Sequence, residues 1–403
     1  MSSTDARLRS KAYVALSLGG PITLETVTYW PIAPNELVIE TAAASVCATD
    51  AKAAVGKVRV SPPIILGHEC SGTVVQTGVD SARQFDVGDK VVLSYSSCGK
   101  CQQCAVGANP YCDERISLNF TGQPGDGIAT VEKDGVTYQV KGHFFGQSSM
   151  GKRIVARATS AVKLPRDTTE EEMRMFASLG CGIQTGAGTI LNLAKPEVNS
   201  NILIFGAGSV GLAACLAAAL TSPAALVVVD NSAAKLAMLP ECVKTAATNF
   251  VDSSGLSDED LVQRLKELTP DGRGYNYALD CVGRGDLVKI GHLALRTRGT
   301  VITVGGGNDV ALQVTISEHL GRGITYKGTH QGDSVPSVFI PHLIDLWRRG
   351  KFPFDRLLTY YEFDELDKAF EDVRSGKTIK PVLINRAASL VSKSEQRDEL
   401  GVR

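Results

Sequence analysis

Hydrophobic and polar positions alternate in short runs through the first part of the chain. ELVIE at 36–40 and GTVVQTG at 72–78 repeat with the period of two that sends successive side chains to opposite faces of a strand. Gly, Pro and Asp-Gly turns punctuate such runs up to about residue 165, so this part is expected to be mostly β. From about residue 185 the pattern changes. NILIF, ALVVVD, ALDCV and TVITVGG are apolar almost throughout, as strands covered on both faces must be, and segments of helical period such as DEDLVQRLKELT lie between them. Strands that alternate with helices predict βαβ units and a doubly wound parallel sheet, which places the chain in the α/β class. After about residue 325, VPSVFIPHLIDLWRRG and DELDKAFEDVRSG read as amphipathic helices and KPVLIN as a closing strand. Residues 387–403 form a polar, charged tail that is expected to be loosely ordered.

With 403 residues the chain has room for two or three domains with well-buried cores. A net charge of −1, with 21% charged and 43% hydrophobic residues, leaves no basic surplus for nucleic acid or an acidic membrane surface. No apolar stretch reaches membrane-spanning length, and the first residues lack the core and cleavage site of a secretory leader. No lipidation, peroxisomal or ER-retention signal stands out. A cytoplasmic protein is the expectation.

That setting bears on the cysteines. Four of the ten, Cys98, Cys101, Cys104 and Cys112, fall within fifteen residues. Thiolates separated by two intervening residues can turn back onto one ion, and a fourth from a nearby turn closes a tetrahedron with no position left for water. Two disulfides or four unpaired thiols are the alternatives, and reducing surroundings disfavour the disulfides. The spacing therefore predicts a structural zinc site.

The apolar run NILIF leads directly into Gly206-Ala-Gly208-Ser-Val-Gly211 and then into the helical GLAACLAAAL. In a G-x-G-x-x-G turn the first glycine permits the tight bend, the second admits a pyrophosphate to backbone N–H groups, and the third lets helix pack on strand. Asp230 ends the next strand about twenty residues on, where a carboxylate accepts both ribose hydroxyls and repels a 2′-phosphate. The expected cofactor is NAD. An incidental glycine-rich turn is the plainer alternative.

Cys47 in SVCATD, His68 in LGHEC and Cys181 in LGCGIQTG are also potential ligands, but spacing alone does not group them. Singly, each could be a buried thiol or a turn histidine. What groups them is order. VCATD, GHECSGTVVQTG, the four-cysteine lobe, GCGIQTGAG and GAGSVG follow one another as in the zinc-dependent medium-chain alcohol dehydrogenases, which the chain resembles from roughly residue 10 to 386. HFFGQSS and the stretch from GDSVPSVFIPHLIDLWRRG to KPVLIN are similar to the aryl (benzyl-type) members.

The resemblance implies a Rossmann nucleotide-binding domain at 185–325 and a mostly β, GroES-like catalytic domain at 1–184 and 326–386, with the zinc lobe at about 96–114. It implies two zinc ions per chain. Cys47, His68 and Cys181 would hold the catalytic one, with a fourth position open to substrate, while Asp50 orients His68 and Glu69 enters the coordination transiently. Thr49 would relay the alcohol proton, and Thr185, Val210 and Val304 would surround the nicotinamide. The activity implied is hydride transfer between NAD(H) and a small alcohol or aldehyde, with an aromatic or other hydrophobic primary alcohol as substrate.

Some positions depart from the family or carry two readings. Ala48 stands where a pyrophosphate-binding Arg or His is frequent, and Lys52 where some members end the proton relay with His. Lys52 reads as a solvated lysine or as a relay terminus, and Lys235 as a ribose contact or an exposed helix lysine. Tyr95, Phe144 and Phe145 fall near pocket positions, with a core role as the alternative. Cys70, Cys215, Cys242 and Cys281 read as buried thiols, and no catalytic role falls to His143, His292, His319, His330 or His342. Edge-strand pairing through TVITVGGGNDVALQVTIS, with the long stretch from Asp113 to His143, favours a homodimer over a tetramer. Two other functions compete: a same-fold dehydrogenase for a glutathione adduct or polyol, and an inactive scaffold holding only the four-cysteine zinc.

Overall fold

Alternation in the first part of the chain builds two β assemblies, as seen in a computed structural model that describes residues 8–58, 60–120, 127–306, 311 and 315–385. Arg9–Ala15, Ile22–Tyr29, Gly127–Lys133, Val136–Lys141 and Ile64–Ile65 close into a small barrel. Beside it a seven-stranded sheet runs in the order Ala161–Lys163, Lys90–Leu93, Cys70–Thr77, Glu36–Ser45, Lys380–Ile384, Leu358–Glu362, with Arg153–Arg157 also paired to Glu36–Ser45. Glu36–Ser45 is its longest strand, and residues on both of its faces are buried. Two register shifts, at Val38/Ile39 and Thr41/Ala43, bend it against Cys70–Thr77.

The apolar runs of the second part become six parallel strands. Their order is Asn249–Asp252, Ala225–Asp230, Asn201–Phe205, Tyr275–Asp280, Leu295–Thr303, Thr325–Gly328. Asn201–Phe205 and Ala225–Asp230 are buried at every residue, which is why they show no alternation. The strand order reverses on either side of Asn201–Phe205, and a crevice at such a switch point is where this architecture takes a nucleotide. The last strand runs to Gly328, beyond the boundary expected at residue 325, because Thr325–Gly328 pairs with Thr300–Thr303.

Helices Pro336–Arg348 and Leu366–Ser375 and the closing strand Lys380–Ile384 lie where the pattern placed them. The closing strand pairs antiparallel with the strand at Glu36–Ser45, Val382 opposite Ser45. No described helix is long and apolar enough to cross a membrane. The tail at 387–403 lies outside the described residues.

One core joins the two parts. It contains Phe176, Ile183, Ile204, Leu212 and Ala213, with Phe339, Ile340, Phe352 and Phe354 from the later segments. Phe176 is fully buried; its ring meets Trp347 edge-on at 5.6 Å and Phe354 at 6.5 Å. Phe176→Ala is expected to lower stability by about 3–5 kcal/mol. Chemical denaturation followed by Trp fluorescence checks this, and an unmoved midpoint would show that the junction does not carry the core.

Candidate metal and nucleotide sites

Cys98, Cys101, Cys104 and Cys112 bring their sulfurs within 4.8 Å of one another. The Cys98–Cys104 and Cys101–Cys112 separations are 4.0 and 3.9 Å. A tetrahedron of zinc–thiolate bonds of about 2.3 Å has edges of about 3.8 Å, whereas a disulfide needs about 2.05 Å. The spacing is that of a metal site, and the described cysteines form no disulfide. The N–H groups of Lys100 and Cys101 point at the Cys98 sulfur and pull its thiol down to about 6, favouring the thiolate. No side of this tetrahedron is left for a substrate.

The second cluster is assembled from three distant stretches. Cys47 follows the strand at Glu36–Ser45 and caps helix Ala48–Ala54; His68 and Glu69 immediately precede strand Cys70–Thr77. Because Ala44 pairs with Cys70, these two stretches meet. Cys181 sits at the break between Ala177–Gly180 and helix Gly182–Gly188. Ligand atoms of Cys47, His68, Glu69 and Cys181 all lie within 4.8 Å of one another.

Asp50 sets the geometry. Its Oδ1 accepts from His68 Nδ1 at 2.8 Å and from Gly67 N at 3.2 Å, and its Oδ2 accepts from Cys47 N at 3.0 Å. The ring proton is thereby fixed on Nδ1, and Nε2 is buried without a partner among the described residues. Phe145 stacks on the imidazole at 4.6 Å and Phe144 meets it edge-on at 5.5 Å.

The two thiols here shift in opposite directions. A hydrogen bond with Cys181 and the nearby His68 hold Cys47 well below the usual thiol range, while the same bond and burial push Cys181 well above it. Two buried like charges cannot both ionise unaided; a dication removes the conflict. Two thiols and the lone pair on Nε2, unpartnered among the described residues, fit a zinc ion.

Glu69 is held from the other side. Its Oε2 lies 2.6 Å from Lys380 Nζ and its Oε1 accepts from Gly182 N at 3.2 Å, all in the interior. Lys380 was not among the residues expected at the site. The signal was a lysine opening the otherwise apolar closing strand KPVLI. Gln147 was missed too; its Nε2 donates to His68 O at 2.8 Å and to Ser94 O at 2.9 Å. Gln331 was also missed, and donates to Cys181 Sγ at 3.5 Å.

Thr49 lies in the first turn of helix Ala48–Ala54, its Oγ1 3.6 Å from Cys47 Sγ. Ala48 beside it is exposed and offers no side-chain donor. Lys52 is half-buried, and its ammonium donates to Gly306 O at 2.8 Å in an exposed contact. Tyr95, Phe144 and Phe145 are buried, and Tyr95 donates to Ser334 O at 2.6 Å. Cys70 and Cys215 are buried as expected; Cys242 and Cys281 are partly exposed, because one sits in the first turn of a surface helix and the other just past the end of strand Tyr275–Asp280.

At the glycine turn, Gly206 bends with φ +99 and a Cβ on Gly211 would lie 1.9 Å from Gly206 O. Gly208 faces open space, a cradle that any side chain would fill. Helix Ser209–Ala219 starts there and carries Val210. Asp230 ends its strand beside the turn, accepting from Ala207 N at 2.8 Å and Ser232 N at 3.0 Å. Lys235 is half-buried and lines a cleft of about 180 Å³ together with Gly208 and Lys377. Val304 follows strand Leu295–Thr303, tied to Asp280 O through its N–H, and Thr185 is buried in helix Gly182–Gly188. The turn, the open cradle and the carboxylate fit a dinucleotide.

Residues 33–166 match the alcohol dehydrogenase GroES-like domain family, and residues 209–347 match the zinc-binding dehydrogenase family. A geraniol dehydrogenase of Castellaniella defragrans is 37% identical over 95% of this chain and 100% of its own. The solved benzyl alcohol dehydrogenase of Acinetobacter calcoaceticus is 34% identical and superposes with a TM-score of 0.84, covering 94% of this chain and 100% of that one. An alcohol dehydrogenase zinc-binding domain protein of Burkholderia ambifaria, 33% identical, gives a TM-score of 0.85 with the same coverage.

The buried Glu69–Lys380 pair has a measurable consequence. Lys380→Ala leaves a carboxylate in the interior without its cation and is expected to cost about 3–5 kcal/mol in a denaturant titration. A change within about 0.5 kcal/mol would mean that Glu69 does not depend on this partner.

Proposed function

The chain belongs to the zinc-dependent medium-chain alcohol dehydrogenases, and from that premise we propose that it interconverts a hydrophobic primary alcohol and its aldehyde with NAD(H). The observation that carries this reading is the buried, unpartnered His68 Nε2 facing two thiols beneath a wall of aromatic rings. Phe120 extends that wall, 5.3 Å from Phe145. Rings at the centre favour an aromatic or other apolar substrate over a polyol. The names of the benzyl alcohol and geraniol dehydrogenases among its relatives point the same way.

Zinc at the Cys47, His68 and Cys181 site supplies Lewis acidity that makes the alcohol more acidic, and NAD supplies the hydride acceptor. The chain's own residues do the rest. Asp50 holds the imidazole with Nε2 toward the metal position, and the Thr49 hydroxyl takes the alcohol proton toward the ribose and solvent. Phe144 and Phe145 keep water from the reacting carbon. Gly206, Gly208 and Gly211 receive the pyrophosphate, Asp230 and Lys235 the adenosine ribose, and Thr185, Val210 and Val304 the nicotinamide. Glu69 stands by the metal, and Cys98, Cys101, Cys104 and Cys112 hold a second, structural zinc.

In this reading the catalytic domain comprises residues 1–184 and 329–386, and the nucleotide-binding domain residues 185–328, the second boundary moved from 325 to the end of its last strand. The proposed assembly is a homodimer. The outer strand Thr325–Gly328 is exposed at every residue, Tyr326 at 48%, and on the preceding helix Ile316 and Leu320 are 83% and 81% exposed. Part of the stretch expected to pair, 307–310 and 312–314, lies outside the described residues.

Turnover with NAD against a panel of aromatic, aliphatic and polyol alcohols, with zinc counted on the same sample, tests the reading. Two zincs per chain and a preference for apolar primary alcohols are expected; one zinc per chain would overturn it. Cys47→Ser and His68→Ala should each lose one zinc and all turnover while still binding NADH. Asp230→Gly should relax the preference for NAD over NADP, a claim that equal use of both cofactors by the unmodified enzyme would refute.

A further inference from the structure

Three consecutive residues, Gln331, Gly332 and Asp333, occupy the left-handed region, with φ of +55, +64 and +51. Gln331 and Asp333 are not glycine, so their backbones sit where L side chains rarely go, and such a conformation persists only when its surroundings over-determine it. Two anchors do so here, one on each side.

The outer anchor comes from the four-cysteine lobe. Tyr111, the residue before Cys112, donates from Oη to Asp333 Oδ1 at 2.7 Å and accepts from His330 N at 3.2 Å. Thr329 Oγ1 donates to the same carboxylate oxygen at 2.6 Å. The inner anchor is Gly332. A Cβ there would lie 2.5 Å from Thr185 O and 2.9 Å from Gln184 O, so only glycine lets the segment press against helix Gly182–Gly188. Its carbonyl accepts from Asn192 Nδ2 at 3.1 Å.

Between the anchors, the buried Gln331 side chain reaches the catalytic cluster. Its Nε2 donates to Cys181 Sγ at 3.5 Å, and its Oε1 accepts from Thr185 Oγ1 and Gln184 Nε2, each at 3.4 Å. The partners dictate which way the amide faces. Turned over, it would set its oxygen against a thiolate and its NH2 against the NH2 of Gln184.

We propose that Gln331 is a positioning residue of the catalytic centre, donating to the Cys181 thiolate, and that the Tyr111–Asp333 hydrogen bond makes its placement depend on the four-cysteine lobe. An N–H donor on a ligand sulfur withdraws charge that the sulfur would otherwise give to the metal, which leaves the metal the stronger Lewis acid. The same amide holds Thr185, so the thiolate and the nicotinamide wall share one support. The lobe, closed to substrate, thereby acts on the chemistry through a strap of five residues, Thr329 to Asp333. This rests on the reading of Cys181 as a ligand of the catalytic metal.

The test uses Gln331→Leu and Tyr111→Phe in the full chain. Steady-state kinetics are run on the zinc enzyme, and the thiolate-to-metal charge-transfer band is recorded after cobalt(II) replaces the catalytic zinc. Gln331→Leu is expected to lower kcat by about 10- to 100-fold with a smaller change in KM, and to move the band to lower energy, while metal count and Tm stay unchanged. Tyr111→Phe leaves every thiol in place and is expected to move both readouts in the same direction by a smaller factor. An unshifted band in Gln331→Leu overturns the proposal, whether or not kcat falls. So does loss of metal or of Tm, which would mark a structural role, or a Tyr111→Phe enzyme that is unaltered. If the unmodified chain binds only one metal, the assignment of Cys181 as a ligand fails instead.

Discussion

A carboxylate removed from water is tolerated only when its lone pairs are filled, and Asp50 fills them from three directions. The donors are the His68 ring and the backbone of Gly67 and Cys47, all within 3.2 Å. Each donor belongs to a stretch that carries a ligand. One side chain thus fixes the imidazole tautomer, the turn before strand Cys70–Thr77 and the start of helix Ala48–Ala54 at once. The remaining features of the centre, from the lone pair on Nε2 to the aromatic rings packed on the imidazole, follow from that constraint.

A second buried carboxylate shows the opposite solution. Glu69 is satisfied by a cation, Lys380, delivered by the closing strand more than three hundred residues later in the chain. Asp50 is held by an imidazole and two backbone N–H groups; Glu69 has one backbone donor, Gly182 N, and takes the ammonium besides. The centre therefore holds two thiols, an imidazole and an ion pair in a small volume, and its charge balance is the reason a dication fits there.

Features carried by local periodicity were readable in the sequence. The apolar runs from NILIF to TVITVGG became parallel strands, and VPSVFIPHLIDLWRRG and DELDKAFEDVRSG became helices, because burial on one or both faces writes itself into consecutive residues. The four-cysteine lobe and the glycine turn are likewise compact in sequence. Features built from pairs of distant residues were not readable. Nothing in the spacing of Cys47, His68 and Cys181 joins them; family order did that, and strand pairing between Ala44 and Cys70 is the physical cause for the first two. Lys380 and Gln331 escaped notice because a single polar residue in a strand or loop reveals neither its burial nor its partner. The exposure of Cys242 and Cys281 was misjudged for a similar reason: apolar neighbours in sequence do not guarantee cover from the rest of the fold.

The pairing of Lys380–Ile384 with Glu36–Ser45 sets an order on biosynthesis. All six strands of the parallel sheet come from the unbroken stretch 201–328, so that sheet can form as soon as the stretch leaves the ribosome. The β part cannot. It emerges before that sheet, yet it lacks two strands, Leu358–Glu362 and Lys380–Ile384, and Glu69 its cation, until almost the last described residue has been made. During that interval an apolar strand edge waits unpaired beside two thiols. Until those two strands are made, that segment of the nascent chain is open to aggregation and oxidation, although it is synthesised before the parallel sheet.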